Sequence, residues 1–556
     1  MSYALDHGKG DDPLDPGMTP QVDSPVLVPA SPSELKGMIK HWRQGRATRN
    51  LMEAFTDAYI AVIGALMVGA MVVNVVLRAQ RNVAACDAES CLSARAVLPW
   101  AAFAAAVAVA LAASRLFGPV LASAAEGFWL LDAPISRAKL LSARLVGALG
   151  IALLGGAVMG ALVSALTGSA PLEVGVWTGA TGLSAAAAVA FAAAQQGAER
   201  HRLTYVTTYV FGLLAVAALA AVVGVSAGWF SLGLSDTVGL ELGAIVSAFA
   251  LAVLVVSWVV AWRRLGGIRR ARLTTGGALV SGISGAFFAL DIGLARDIVV
   301  ERRAIERGHV TPRRGRRVGL EALIWREAQR LWRFPRRLLV LIGTILVPYA
   351  AVALGMGPLT SVFAALALFA AAIPLLGGLR VLTRTGGLAR CLPFSLSRIK
   401  LASIAVPAAL ALVWAIAVVP AFLEVTAEQP GRVAGDGVTA AIATAAAGLL
   451  AAVRWTQAKA VDFGAPMVST QAGAFPPGLV GNLFRGFDVC LLTTAPMVFG
   501  VSPLWSLAIA GIAASLLLNS LDAEALRARQ AEQQRQLEAE KKRRQAAVAA
   551  SKQRKR

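Results

Sequence analysis

Residues 136–167 read SRAKLLSARLVGALGIALLGGAVMGALVSALT. After Arg144 no ionisable side chain appears until Glu173. A run of about 20 apolar residues is what an α-helix needs to cross a hydrocarbon core. Lipid cannot satisfy open backbone groups, so such a span must be helical. The whole chain follows the same pattern. It is 57% hydrophobic and only 15% charged over 556 residues, whereas roughly a quarter of residues are charged in a soluble domain. The sequence therefore predicts an all-α polytopic membrane protein. Its spans fall near 54–77, 97–113, 145–167, 176–195, 205–226 and 241–262, then 338–356, 359–379, 401–423, 437–453, 488–501 and 503–521. These make about 12 transmembrane helices, in two groups of six.

The net charge of +21 raises the question of nucleic acid, but the distribution of charge points to the membrane. Threaded from a cytosolic N-terminus, the outer loops hold only Arg78, Arg81, Arg95 and Arg432 as basic residues. Nearly all other Lys and Arg fall on the inner side, as the positive-inside rule requires. No fold signature for nucleic-acid binding accompanies the charge. Multi-pass insertion with both termini cytosolic is the expected topology.

The first half is expected over 31–265, after a disordered cytosolic tail at 1–30 with no apolar core of a signal peptide. It opens on Ser31, Pro32 and Glu34, a helix-start pattern. Leu35, Met38, Ile39 and Trp42 follow on one face, as in an amphipathic helix lying in the interface. A basic cytosolic connection is expected over 266–317. The wider stretch 263–337 carries 18 Arg and no Lys against six acidic residues, which suits anionic lipid headgroups. Within it, 274–295 is mildly apolar but holds five glycines and Asp291. If it spanned, every later loop would invert, so it reads as a cytosolic or surface-lying segment. The second half, 318–521, starts with another amphipathic pattern at Leu320, Leu323, Ile324, Ala328 and Leu331. Residues 522–556 read as a charged cytosolic helix.

The two halves share a spelling. Pro134, Ser136, Arg137 and Lys139 precede the third span; Pro393, Ser397, Arg398 and Lys400 precede the ninth. Both copies contain Ser-Arg-x-Lys-Leu. From Lys139 to Trp262 is 123 positions and from Lys400 to Leu521 is 121. Six spans per half leave the halves pointing the same way, a parallel tandem repeat.

No catalytic constellation stands out. His7, His41, His201 and His309 lack partners at metal-ligand spacing. A Walker A loop needs Gly-Lys-Ser/Thr, and no Lys here precedes Ser or Thr. No ATPase activity and no cofactor are expected in this chain. The spans hold no mid-membrane charge of the kind that carries ion coupling; Asp57, Asp488 and Glu424 lie near span ends. Cys86 and Cys91 share the first outer loop, where a disulfide or two free thiols are both open readings. Cys391 and Cys490 read as packing residues. Gly156 and Gly160 form a small-xxx-small pattern, a mark of close helix packing. The stretch 465–488, with Gln471, Gly473, Arg485 and Asp488, reads as a plain loop, a partner contact or a re-entrant segment.

The segment Leu130–Leu141, and its longer copy Arg390–Leu401, resemble the turn between the second and third spans of ABC-2-type permeases, the six-span membrane units of ATP-binding-cassette exporters. The chain as a whole resembles an uncharacterised group of fused permeases from high-GC bacteria. The resemblance implies a bacterial inner-membrane exporter energised by a separate ATP-binding subunit in two copies. That subunit would dock on Pro134, Ser136, Arg137, Lys139, Pro393, Ser397, Arg398 and Lys400, with Gln471, Gly473, Arg485 and Asp488 as a second inner contact. Cations at a helix N-terminus oppose the helix dipole, so lipid phosphate or an acidic partner surface should face these turns. A secondary carrier of the major-facilitator kind and a non-transporting membrane scaffold are the alternatives.

Overall fold

The computed structural model describes residues 89–131, 136–226, 236–311, 315–353, 356–427, 433–458, 484–519 and 534–541. It also describes 468–470, 473–475, 481–482 and scattered helical positions between 34 and 74. Most of the first expected span lies outside the described residues, as do Pro134, Gln471, Cys86 and the Cys91 side chain, so no disulfide reading follows.

Among the described residues eight helices are long and apolar enough to cross a membrane, and the protein is a polytopic helical membrane protein. Large apolar side chains such as Ile151, Leu154, Leu213 and Phe249 are mostly exposed along them, a surface suited to lipid and not to water. The N-terminal group comprises α1 (Glu89–Phe117), the short α2 (Ala124–Trp129), α3 (Arg137–Leu166), α4 (Pro171–Gly197), α5 (His201–Ser226) and α6 (Asp236–Arg264). Helix α4 is the hub, packed on α1, α3 and α6, while α1 packs on α5. Glycine makes the α3–α4 crossing possible: a Cβ at Gly160 would lie 2.7 Å from the Trp177 carbonyl oxygen, and one at Gly156 2.7 Å from that of Thr181. The small-xxx-small pattern is thus a packing seam.

The basic connection, for which the sequence names no helix before Leu320, is largely helical. Two helices, α7 (Arg270–Phe288) and α8 (Ile292–Arg307), pack on each other as a hairpin. Asp291 caps α8 by accepting from the Leu294 amide at 2.9 Å. Leu290, in the elbow, has φ +48°. The glycines that weaken α7 as a helix allow it to touch the chain beside it. A Cβ on Gly276 would collide with the Phe117 carbonyl, and one on Gly277 with that of Ala122.

The C-terminal group begins with the expected amphipathic helix α9 (Leu320–Arg333). The seventh expected span falls on two helices in series, α10 (Arg336–Gly343) and α11 (Leu346–Ala353). Where the eighth is expected the chain is not straight: α12 (Thr360–Ala372) and α13 (Gly377–Arg384) meet at 66°. Helix α14 (Gly386–Arg390) leads into α15 (Leu396–Ala427), then α16 (Ala434–Thr456). A small antiparallel hairpin, β1 (Val468–Thr470) and β2 (Gly473–Phe475), pairs Val468 with Phe475. Two shorter apolar helices close the group, α17 (Phe487–Val498) and α18 (Pro503–Asn519). Here α16 is the hub, packed on α12, α15, α17 and α18, while α12 packs on α17. Helices α4 and α16 are the most buried of the candidate spans. The groups meet where α11 packs on α5. Ala353 lies there against Val97, Val222 and Val225. Arg336 bonds the Tyr205 hydroxyl and stacks on the Tyr205 and Tyr209 rings.

Candidate functional site: two helix breaks and the turns that follow

Each group carries an interrupted helix, and each interruption leads into one copy of the repeated turn. The last turn of a helix leaves carbonyls without intrahelical partners. Buried carbonyls of this kind must find donors elsewhere.

Below α1 the chain leaves helical geometry at Gly118, whose φ is +85°, and runs to the cap of α2 at Ser123. Gln196, near the end of α4, pairs with Val120 on both sides, accepting from its amide and donating to its carbonyl, each at 3.4 Å. Arg144 on α3 donates to the Leu121 carbonyl at 2.8 Å, and the Ala122 amide donates to the Leu273 carbonyl on α7 at 3.1 Å. Val120 and Ala122 sit in an apolar cluster with Leu131, Leu141, Leu145 and Leu273. Glu126 completes the cap of α2 and pairs with Arg144. Burial disfavours its charge, but hydrogen bonds from Ser123 and the Arg144 guanidinium outweigh burial and hold the carboxyl below the usual range.

In the second break the carbonyls of Ile373, Pro374 and Leu375 face three arginines. Arg296 on α8 donates to Ile373 at 3.2 Å. Arg330 on α9 donates to Leu375 at 2.8 Å, and Arg337 on α10 to Pro374 at 2.9 Å. Cations suit the negative end of a helix dipole. One turn on, Arg380 is 3% exposed and makes a bidentate pair with Asp297 at 2.6 and 2.7 Å. Its guanidinium and that of Arg296 both lie over Trp455. Burial, and then the charge of Arg380, pushes the Arg296 guanidinium down to about 10. Burial likewise lowers Arg330 and raises the Glu327 carboxyl beside it.

The turns themselves differ. Ser136 is the N-cap of α3 but makes no side-chain cap bond. Arg137 turns back and donates from Nε to the Leu131 carbonyl at 3.0 Å, while Lys139 is exposed. In the second copy Ser395 takes the capping place, and Ile399 donates its amide back to the Ser395 carbonyl at 3.1 Å. The two extra residues therefore extend α15 and do not lengthen the loop. Pro393 and Arg398 are exposed and Ser397 is half-buried. Lys400 lies deeper along the helix, 2% exposed, donating to the Leu517 carbonyl at 2.7 Å and to Gln457 Oε1 at 3.2 Å. It tethers α15 to α16 and α18 and presents no charge to the surface.

Of the second expected contact, Gly473 lies in β2. Asp488 is drawn inward, pairing with Arg454 at 2.5 Å and accepting from the Gly486 and Val489 amides at 2.8 Å. Burial, then the charge of Arg454, pushes the Arg485 guanidinium below its ordinary value. Cys490 is buried as expected; Cys391 is exposed, so packing does not account for it. No group of three or more His, Cys, Asp or Glu suited to a metal occurs among the described residues.

The sequence reading passed over Gln196, Gln457, Arg296 and Arg380. One signal was available: Gln196 lies 57 residues after Lys139, and Gln457 lies 57 after Lys400. Both glutamines close the hub helix of their group.

No curated protein and no solved structure matches the chain. Residues 91–466 of the 556, a stretch holding both breaks and both turns, match a family model, and the chain belongs to that family, a family of unknown function (DUF6297).

Proposed function

We propose that the protein is the membrane permease of an ATP-binding-cassette exporter of the ABC-2 type, driven by a separate ATPase subunit bound in two copies. The observation that carries this reading is the repeated turn, which in each group joins an interrupted helix to the helix after it. Matching helix partners support a tandem repeat. The pair α3–α4 corresponds to α15–α16, α4–α6 to α16–α18, and α1–α5 to α12–α17. The eight apolar helices, the bent pair and the two shorter helices, with the apolar run at 54–77, make twelve spans.

The turns, breaks and basic connection then lie on the cytosolic face of a bacterial inner membrane, as the positive-inside rule directs. ATP hydrolysis falls to the partner, because the chain has no Walker A loop. Lys139 and Arg398, both exposed, are the docking cations this reading favours. Arg137 and Lys400 hold the turns in place. A push on either turn passes directly to a hub helix, since α3 and α15 pack along α4 and α16. Rocking of one half against the other would then alternate access.

The test is purification from native membranes with Lys139→Glu and Arg398→Glu combined. Charge reversal at a contact rim acts through association, so recovery of co-purifying ATPase activity is expected to fall at least about tenfold. Unchanged recovery and unchanged ATPase stimulation would overturn the docking role. Reconstituted permease that transports on an ion gradient without an ATPase would overturn the class.

A further inference from the structure

Apart from the turns, the basic end of the N-terminal group and the α7–α8 hairpin line a half-open cleft of about 380 Å³, within the range of roughly 300–1,000 Å³ typical of ligand pockets. Four guanidinium groups from four elements line it: Arg115 from α1, Arg200 from the α4–α5 connection, Arg272 from α7 and Arg302 from α8. Glu306 is the one carboxylate in the lining and pairs with Arg302 at 3.0 Å. Arg115 lies over the Tyr205 ring at 4.5 Å. Arg200 is exposed and makes no ion pair among the described residues. Gln195 also lines the cleft, and its Oε1 is buried with no donor among the described residues.

We propose that this cleft binds a phosphate ester, the headgroup of an anionic phospholipid being the source the surroundings favour. Planar guanidinium forks match phosphate oxygens bidentately, and four cations against one carboxylate leave a positive excess that an anion relieves. The unpaired Gln195 acceptor suits a hydroxyl on the headgroup. Burial lowers the Arg272 guanidinium below its ordinary value, and an anion beside it would oppose that shift. A lipid source fits because the cleft lies at the ends of α1 and α5. Leu203, Val206 and Val210 on α5 are each about half exposed there, at 45%, 54% and 48%, a surface for acyl chains. Basic pockets between membrane helices are known to hold anionic headgroups.

The test titrates the purified full-length protein with dihexanoyl phosphatidylglycerol and, separately, with inorganic phosphate. Saturable binding of one equivalent is expected. Arg200→Gln with Arg302→Gln should weaken it at least about tenfold, because two charge-assisted contacts go. Arg200→Gln alone, at an exposed position, should weaken it about threefold without touching the fold. Arg316→Gln, outside the cleft, should leave it unchanged. Tighter binding of the lipid probe identifies a headgroup site, and equal binding of phosphate identifies a free-phosphate site; both support the proposal. No saturable binding of either probe, or full affinity in the Arg200 variants, would overturn it.

Discussion

The break at Gly118–Ser123 is held by a neutral amide, one arginine and a backbone pairing, whereas the break at Ile373–Leu376 is held by three arginines. Both solve the same problem of carbonyls freed where a membrane helix stops. A hydrogen bond to a charged donor contributes about 1.5–3 kcal/mol, against about 0.5–1.5 for a neutral one. Burying the charge has its own cost unless a counter-ion is present. Asp297 and Glu327 supply that counter-charge in the second break; the first needs less because Gln196 carries none. The basic connection is therefore not only a surface coat, since Arg296 and Arg330 are spent inside the fold.

The largest expected effect tests the charged break. Asp297→Ala leaves Arg380, 3% exposed, without its bidentate partner. Stranding a buried cation costs about 3 kcal/mol, the low end of the usual range because Asp297 is itself partly exposed. A drop in the melting temperature of the detergent-purified protein would register it, with Gln196→Ala expected to cost about half as much. Equal losses would mean that the two breaks do not differ in kind.

A smaller contrast lies in the glycines. A Cβ at Gly277 meets the Ala122 backbone, while one at Gly378 meets the Glu327 carboxylate. Backbone cannot give way as a side chain can, so Gly277→Ala should cost about 2 kcal/mol and Gly378→Ala under about 1. Matched melting curves decide the order; a reversal would place the rigid contact at the second break.

The smallest effect is a pH slope. Burial raises the Glu327 carboxyl in the folded protein. A raised carboxyl binds its proton more tightly folded than unfolded, so its contribution favours the fold at low pH. That contribution is lost as pH rises from about 4.5 through the folded value. Glu327→Gln should flatten this slope, at a smaller loss at neutral pH than Asp297→Ala, because the Arg330 side chain is 23% exposed and keeps its bond to Leu375. An unchanged slope between pH 4 and 7 would show that Glu327 is not its source.

The spans were legible because contiguous apolar runs leave few other options. The breaks were legible only in part. Pro374, Gly377 and Gly378 punctuate the eighth run, but Leu375, Leu376 and Leu379 keep it reading as one span. The α7–α8 hairpin was missed as structure because its glycines count against a helix, and only the neighbouring carbonyls reveal why they are there. The burial of Lys400 could not be read at all. Its motif has the same letters as that around Lys139, and two residues added to the start of α15 separate a surface charge from a buried tether.

The α7–α8 hairpin leaves one mechanical consequence. Helix α7 rests on the first break through Leu273, Gly276 and Gly277, and α8 grips the second through Arg296 and Asp297. The two are joined by an elbow of three residues in which Leu290 holds a left-handed backbone, a conformation that costs a residue with a bulky side chain about 1–2 kcal/mol. The hairpin is thus a crossbar bolted to both sides of the molecule. Movement of one side relative to the other must be taken up at that short, sprung elbow or at one of its two bolts.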